Sequence, residues 1–104
     1  MSSILVVGPG AIGSYLACLL QAAGHEVSLV GRRPEPPIHP YHIEDRELTR
    51  PPILPTMPSA SFEALFLCVK LVDLGATVQQ VEQSGVQARS IGIVHNGRHC
   101  HPVQ

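Results

Sequence analysis

The sequence predicts an α/β fold built as a doubly wound, mainly parallel sheet. Apolar runs of strand length alternate with segments of helical periodicity. Each helical segment begins close behind an apolar run, as in βαβ units, where a crossover helix joins two parallel strands. The chain has 104 residues, which is enough for one compact domain. The predicted order is strand, helix, strand, proline-rich excursion, strand, helix, strand.

The first predicted βαβ unit runs from Met1 to Val30. Its first strand is the apolar run Ile4–Val7, and the helix that follows has apolar residues at the spacing of one buried face. These residues are Ile12, Leu16, Leu19, Leu20 and Ala23. Gly24 is expected to end the helix, and Val27–Val30 forms the second strand. The two strands should be parallel, with a right-handed crossover.

A glycine motif of the form G-x-G-x-x-G joins the first strand to the helix. Its residues are Gly8, Pro9, Gly10, Ala11, Ile12 and Gly13. In this position the motif is typical of the phosphate-binding turn of a Rossmann-like fold. The first glycine permits the tight turn, the second lets the backbone approach a pyrophosphate, and the third lets helix and strand pack closely. We predict that all six residues bind a dinucleotide. The alternative is a tight turn that binds nothing.

The segment after the second strand indicates which dinucleotide is bound. NAD sites usually place an Asp or Glu there for the ribose 2′-hydroxyl, whereas this chain has Gly31-Arg32-Arg33. Of the nearest acids, Glu26 lies at the wrong end of the strand and Glu35 lies beyond a proline. A guanidinium can bind a 2′-phosphate bidentately, and a carboxylate would repel it. We predict NADP(H) over NAD(H), FAD or S-adenosylmethionine; the alternative makes both arginines ordinary solvated charges.

The middle of the chain, residues 33–61, is predicted to be irregular. It holds eight of the ten prolines, which exclude a long helix and a central strand. Tyr41–Glu44 and Arg46–Thr49 could form a hairpin turned at Asp45, and Ile53–Leu54 a short edge piece. A linker between domains is the alternative. Because regular structure resumes immediately afterwards, we predict an excursion within one domain.

The second half of the chain supplies another strand–helix–strand pattern. Ala64–Val69 is a continuous apolar run, typical of a strand covered on both faces. A helical pattern follows and is expected to end near Gly85, and Ile91–Val94 is predicted as a further strand. The apolar positions of that helix are Leu71, Leu74, Val78 and Val81. Lys70 and His95-Asn96 then follow the carboxyl ends of two strands, the edge where open α/β sheets bind ligands.

Composition and charge limit the partners. A net charge of −1 with no basic stripe argues against nucleic acid, and no apolar run approaches the roughly 20 residues of a membrane span. No basic region precedes Ile4, so a signal peptide is not expected. Cys18 and Cys68 lie in predicted elements and should be buried, so reduced thiols and a cytoplasmic location are expected.

One cluster of metal-ligand types lies near the end of the chain. Its members are His95, His99, Cys100 and His101. Their spacing matches no closed structural zinc site, and a polar tail over residues 98–104 is the simpler interpretation. We therefore predict no metal, and tight zinc binding through the cluster is the alternative.

Taken together, the motifs resemble the N-terminal domain of ketopantoate reductases (2-dehydropantoate 2-reductases). The resemblance is carried by Gly8 to Tyr15, Ala23 to Val27, Gly31-Arg32, Cys68-Val69-Lys70 and Ile93 to Gly97. It implies NADPH-dependent reduction of a 2-keto acid in pantothenate and coenzyme A synthesis. By the same resemblance, Arg32 would bind the 2′-phosphate, and Lys70 and Asn96 would lie at the edge shared by nicotinamide and substrate. The alternative for Lys70 is an ordinary solvated loop lysine, and the alternative for Asn96 is a role in an Asn-Gly turn.

Members of that family are considerably longer, with a helical second domain that carries a catalytic lysine and an acidic substrate-binding residue. The resemblance therefore assigns residues 1–97 to a truncated NADP-binding domain and residues 98–104 to an irregular tail. It assigns no catalytic residue to this chain, so we expect cofactor binding without efficient turnover. The expected partner is the missing helical domain or a second copy. A stand-alone, non-catalytic NADP-binding or sensing module and a degenerate remnant are the alternatives.

Overall fold

A five-stranded parallel sheet organises residues 2–94, the part of the chain that the computed structural model describes. The elements in chain order are β1 (Ser3–Val7), α1 (Ala11–Ala22), β2 (Glu26–Val30), β3 (Ile38–Ile43), β4 (Arg46–Arg50), β5 (Ile53–Leu54), β6 (Ser61–Leu67), α2 (Leu71–Ser84) and β7 (Gln87–Ile93). The α/β fold class is confirmed. Strands β6 and β7 begin earlier than predicted, because polar residues at their starts also pair through the backbone.

The strand order of the sheet is β5-β2-β1-β6-β7, and all neighbouring strands are parallel. The chain winds outward from β1 on one side and then returns to start β6 on the other. The order therefore reverses between β1 and β6, which is where open α/β sheets form their ligand crevice. Val7 pairs with both Val30 and Leu67, so the three central strands end at the same level.

The two faces of the sheet are covered by different helices. On one face, Leu5 and Leu65 belong to a buried cluster against which Leu74 and Val81 of α2 pack. On the other face, the buried cluster comprises Ile4, Val6, Ala17, Leu29 and Ile53. Full burial of each leucine, isoleucine or valine side chain among them stabilises the fold by roughly 1.5–3 kcal/mol. The apolar run at β6 is thus covered on both faces, as predicted.

The buried face of α1 differs from the predicted one. Gly13, Ser14, Ala17 and Cys18 are buried, whereas Ile12 is 36% exposed. The other predicted positions are Leu16, Leu19 and Leu20, which are half-buried, and Ala23, which is exposed. Small side chains allow the helix to approach the sheet closely, so they take the inner face, and the larger ones lie along its flanks. The helix ends before Gly24, as predicted.

The proline-rich segment contains the predicted hairpin. Strands β3 and β4 are antiparallel and form a separate two-stranded sheet, with Glu44 at positive φ in the turn. Strand β4 packs against α1 and buries Leu48 and Arg50. Strand β5 pairs with β2 and forms one edge of the large sheet, as predicted for Ile53–Leu54. Neither α1 nor α2 has the length and apolar character that crossing a membrane requires.

Candidate functional site

Three segments that are far apart in sequence line one cavity of about 900 Å³ at the carboxyl ends of the strands. They are Gly8–Gly10 after β1, Gly31–Arg33 after β2 and Cys68–Lys70 after β6. Backbone hydrogen bonds continue the sheet into these turns: Gly8 N donates to Val30 O at 2.9 Å, and Cys68 N donates to Val7 O at 2.8 Å. The turns are therefore held by the strands themselves, and they face one shared space.

The structure brings together most of the predicted site residues. Those that line the cavity are Gly8, Pro9, Gly10, Arg32, Arg33 and Lys70. Ala11, Ile12 and Gly13 form the first turn of α1 behind the glycine turn. Asn96 lies outside the described residues, as do His95, His99, Cys100 and His101. Within residues 2–94, no group of three or more His, Cys, Asp or Glu side chains is placed to hold a metal ion.

Two glycines of the motif are required by the fold. Gly8 has φ +107°, and a Cβ there would overlap the carbonyl oxygen of Cys68. Gly13 lies so close to the carbonyl oxygen of Gly8 that a Cβ would overlap it. Side chains at these positions would push the turn away from β6 or push α1 away from the turn. Gly8 and Gly13 therefore set the close packing that the motif predicts.

Gly10 is different, because nothing in the described chain requires a glycine there. Its φ of −66° is open to any residue, and no neighbouring atom lies within 4 Å of the place that a Cβ would occupy. Gly10 lines the cavity and is exposed. The space beside its backbone is therefore open to a bound group, which fits the role of the second glycine of a dinucleotide-binding turn.

The amino end of α1 supplies donors beside that space. The first intrahelical bond joins Ser14 N to Gly10 O at 2.9 Å, so the N–H groups of Ala11, Ile12 and Gly13 precede it. The Ser14 hydroxyl donates to Pro9 O at 2.9 Å and holds the turn in place. The first turn of α1 contains no acidic residue that would compete for these donors. Free N–H groups and the helix dipole favour a phosphate at this position.

Two arginines form the next part of the cavity wall. Arg32 and Arg33 are exposed, and within residues 2–94 neither forms an ion pair. Gly31, just before them, donates its N–H to Leu54 O at 3.0 Å. It packs so tightly on Pro9 that a Cβ would overlap that ring. The arginines are thus tied to the glycine turn through a rigid contact, with their guanidinium groups available to an anion.

An ion pair that the sequence analysis did not predict completes the cavity wall that contains the two arginines. Arg50 Nη1 donates to Glu35 Oε1 at 3.0 Å, and Nη2 donates to Pro36 O at 2.9 Å. The Arg50 side chain is only 5% exposed, whereas that of Glu35 is 48% exposed, and both line the cavity. The structure places Glu35, set aside in the sequence analysis as lying beyond a proline, at the cavity wall, where two backbone bonds join it to Ile53.

The segment after β6 forms the opposite wall. Lys70 is exposed at the amino end of α2, and its side chain makes no capping hydrogen bond. Cys68 lies beside it, just beyond the end of β6, and is half-buried rather than buried as predicted. Burial raises the pKa of the Cys68 thiol to about 11, so it is neutral at physiological pH and a poor nucleophile. Burial also raises the pKa of Cys18, and the nearby Arg50 charge opposes that shift.

The parallel sheet, the glycine turn at its switch point and the helix that starts there together define a Rossmann-like domain. The comparisons with known proteins make this more specific. The family model of ketopantoate reductase PanE/ApbA matches residues 4–102, and the chain belongs to that family. The resemblance proposed from the motifs is therefore confirmed.

Solved structures show the same fold. A dimeric ketopantoate reductase from Staphylococcus aureus has a TM-score of 0.67 and 23% identity, over 90% of this chain and 33% of its own. A protein assigned as a 2-dehydropantoate 2-reductase from the same organism has a TM-score of 0.63 and 22% identity, over 97% and 36%. The chain thus spans about a third of the length of these structures. No curated protein matches the sequence.

Proposed function

We propose that this chain binds NADP(H) at the carboxyl edge of its sheet, as the cofactor-binding half of an oxidoreductase that reduces a 2-keto acid. The observation that carries the proposal is the open space beside Gly10, bordered by the free N–H groups of α1. The pyrophosphate would lie there, held by backbone donors. Arg32 and Arg33 would hold the 2′-phosphate through bidentate, charge-assisted hydrogen bonds.

The substrate edge is assigned to the far end of the cavity. Lys70 lines the cavity from the start of α2, with its ammonium group unpaired by any described carboxylate. In the proposal it attracts the carboxylate of a 2-keto acid or contacts the nicotinamide, and Asn96 would hydrogen-bond cofactor or substrate, a role that rests on the family resemblance alone. The bound nicotinamide would supply the hydride.

No residue from 2 to 94 is assigned the role of general acid in this proposal. We propose that reduction of 2-dehydropantoate also needs a helical domain, supplied by a further segment or by a separate chain. The matched Staphylococcus aureus ketopantoate reductase is dimeric. A second copy of this chain is therefore the other proposed partner.

Isothermal titration with NADPH, followed by a reductase assay, tests this function. The chain should bind NADPH and should not oxidise it with 2-dehydropantoate when assayed alone. Adding the helical domain of a ketopantoate reductase should produce keto-acid-dependent oxidation. Binding without any rescue would favour a non-catalytic NADP-binding module. Failure to bind any dinucleotide would overturn the proposal and leave only a domain for association.

A further inference from the structure

We propose that Arg50 controls the cofactor preference of this site by neutralising Glu35, a role that rests on the proposed NADP(H) function. Two acidic residues line the cavity within residues 2–94; Glu35 lies in the segment that follows Arg32 and Arg33, whereas Asp73 lies in the first turn of α2. Left unpaired, its carboxylate would repel a 2′-phosphate. It could also accept a hydrogen bond from a ribose 2′-hydroxyl, as the acidic residue of NAD sites does.

The geometry of Arg50 suits this task. Its guanidinium reaches Glu35 from β4, a strand that packs on α1, and it also donates to the carbonyl oxygen of Pro36. These two bonds fix both the charge and the backbone of the segment that follows the arginines. Glu35 is held from its other side by backbone bonds with Ile53, at 2.9 Å and 3.2 Å. The backbone at Glu35 is therefore held by Ile53, and its carboxylate is held by Arg50.

Arg50 is also an unusual residue to find at the base of a cavity. Its side chain is 95% buried, and its Nε atom has no hydrogen-bond partner. A buried guanidinium with an unused donor is costly, and a purely structural clamp could be made from neutral residues. The charge itself is therefore the feature to explain. Neutralisation of Glu35 beside a phosphate-binding wall explains it.

The paired charges cancel, and the wall is left with the two positive charges of Arg32 and Arg33. Removing Arg50 would leave one negative charge among two positive ones, and it would expose a ribose-binding carboxylate. The predicted consequence is a change in the ratio of NADPH affinity to NADH affinity. NADPH binding should weaken, and NADH binding should stay level or strengthen.

Three variants separate this role from a structural one: Arg50→Met, Glu35→Gln and the double variant. Dissociation constants for NADPH and NADH are measured on the same preparation, so any misfolded fraction cancels in their ratio. In Arg50→Met the NADPH preference should fall about tenfold, the effect of one uncompensated like charge near the phosphate. In Glu35→Gln the preference should be kept or increased. The double variant should return close to the wild-type ratio.

Salt and a conservative variant add two further readouts. The loss in Arg50→Met should shrink at high ionic strength, since screening weakens the repulsion. Arg50→Lys keeps the charge and should keep the preference. If Arg50→Met does not fold, Arg50→Gln makes the same charge change while retaining a donor for Pro36 O.

Two results would count against the proposal in different ways. If Arg50→Met or Arg50→Gln weakens both cofactors equally, Arg50 acts only as a structural clamp and the inference is wrong. If the wild-type chain binds neither cofactor, the proposed function fails first and the inference falls with it.

Discussion

The glycine turn and the charged wall, by which we mean Arg32, Arg33, Glu35 and Arg50, are built in different ways. The turn comes from six consecutive residues, and its geometry is set by backbone contacts. The wall combines side chains from either side of a hairpin, brought together by β4 and β5. This difference in construction means that affinity and selectivity would depend on different parts of the proposed site. Backbone geometry would provide affinity for any dinucleotide, and side-chain charge would provide selectivity among dinucleotides.

The largest expected effect is on the packing of the turn. Gly13→Ala places a Cβ on the Gly8 carbonyl oxygen, so the free energy of unfolding should fall by about 3 kcal/mol or more. Urea denaturation followed by circular dichroism measures this. Gly75→Ala is the matched control, because its Cβ would meet nothing within 4 Å inside α2. It should stabilise the chain by roughly 0.5–1 kcal/mol. Equal stability of the two variants would contradict the tight packing described for the turn.

Gly10→Ala tests the binding half of the same turn. The added methyl group would occupy the proposed path of the pyrophosphate, so NADPH and NADH should both weaken, by roughly 10- to 100-fold. The free energy of unfolding should change by less than about 1 kcal/mol, since Gly10 only precedes the helix as its N-cap. Gly10→Ser serves as the control for helix capping. Unchanged affinity in both variants would remove the pyrophosphate from this position.

Arg32→Ala tests the charged wall. Each charge-assisted hydrogen bond contributes about 1.5–3 kcal/mol, so NADPH should weaken roughly 10- to 100-fold. NADH lacks the 2′-phosphate and should bind almost as before. Fluorescence titration of both reduced cofactors measures the two constants. An equal loss for NADPH and NADH would show that Arg32 does not bind the 2′-phosphate.

The last prediction concerns Cys68, which begins the opposite wall and packs against the glycine turn, and whose expected effect on stability is the smallest. Because burial raises its pKa to about 11, the thiol should be alkylated by iodoacetamide at pH 8 roughly 100-fold more slowly than free cysteine. The same shift means that stability is kept below pH 9 and lost as the pH rises towards 11. Peptide mass spectrometry follows the modification. Alkylation at the free rate would mean that the turn is open to solvent on this side.

The sequence predicted the parts of the fold that depend on local patterns. The order of strands and helices, the hairpin after β2 and the short edge strand follow from periodicity and from proline and glycine positions. The buried face of α1 was mispredicted because apolar size was taken as the guide. Close approach at Gly13 instead turns the small residues inward.

The candidate site was predictable from the sequence only in part, like the fold. The glycine turn and Arg32-Arg33 are visible in the sequence because strand ends place them at one edge. The pairing of Glu35 with Arg50 is not visible, since the two residues are separated by a hairpin and no periodic pattern connects them. The hairpin returns the chain through β4 and β5, which bring Arg50 and Ile53 to Glu35. The cytoplasmic location and the role of Asn96 stay predictions.

The ratio of NADPH to NADH affinity in the wild-type chain tests the proposed site as a whole. Both dissociation constants should be measured by titration at one salt concentration, because binding to the arginines is screened by ions. We predict that NADPH binds at least about tenfold more tightly, through the 2′-phosphate and the guanidinium groups of Arg32 and Arg33, which form no ion pair within residues 2–94. Equal affinities, or tighter binding of NADH, would contradict an NADP(H) site at this edge of the sheet.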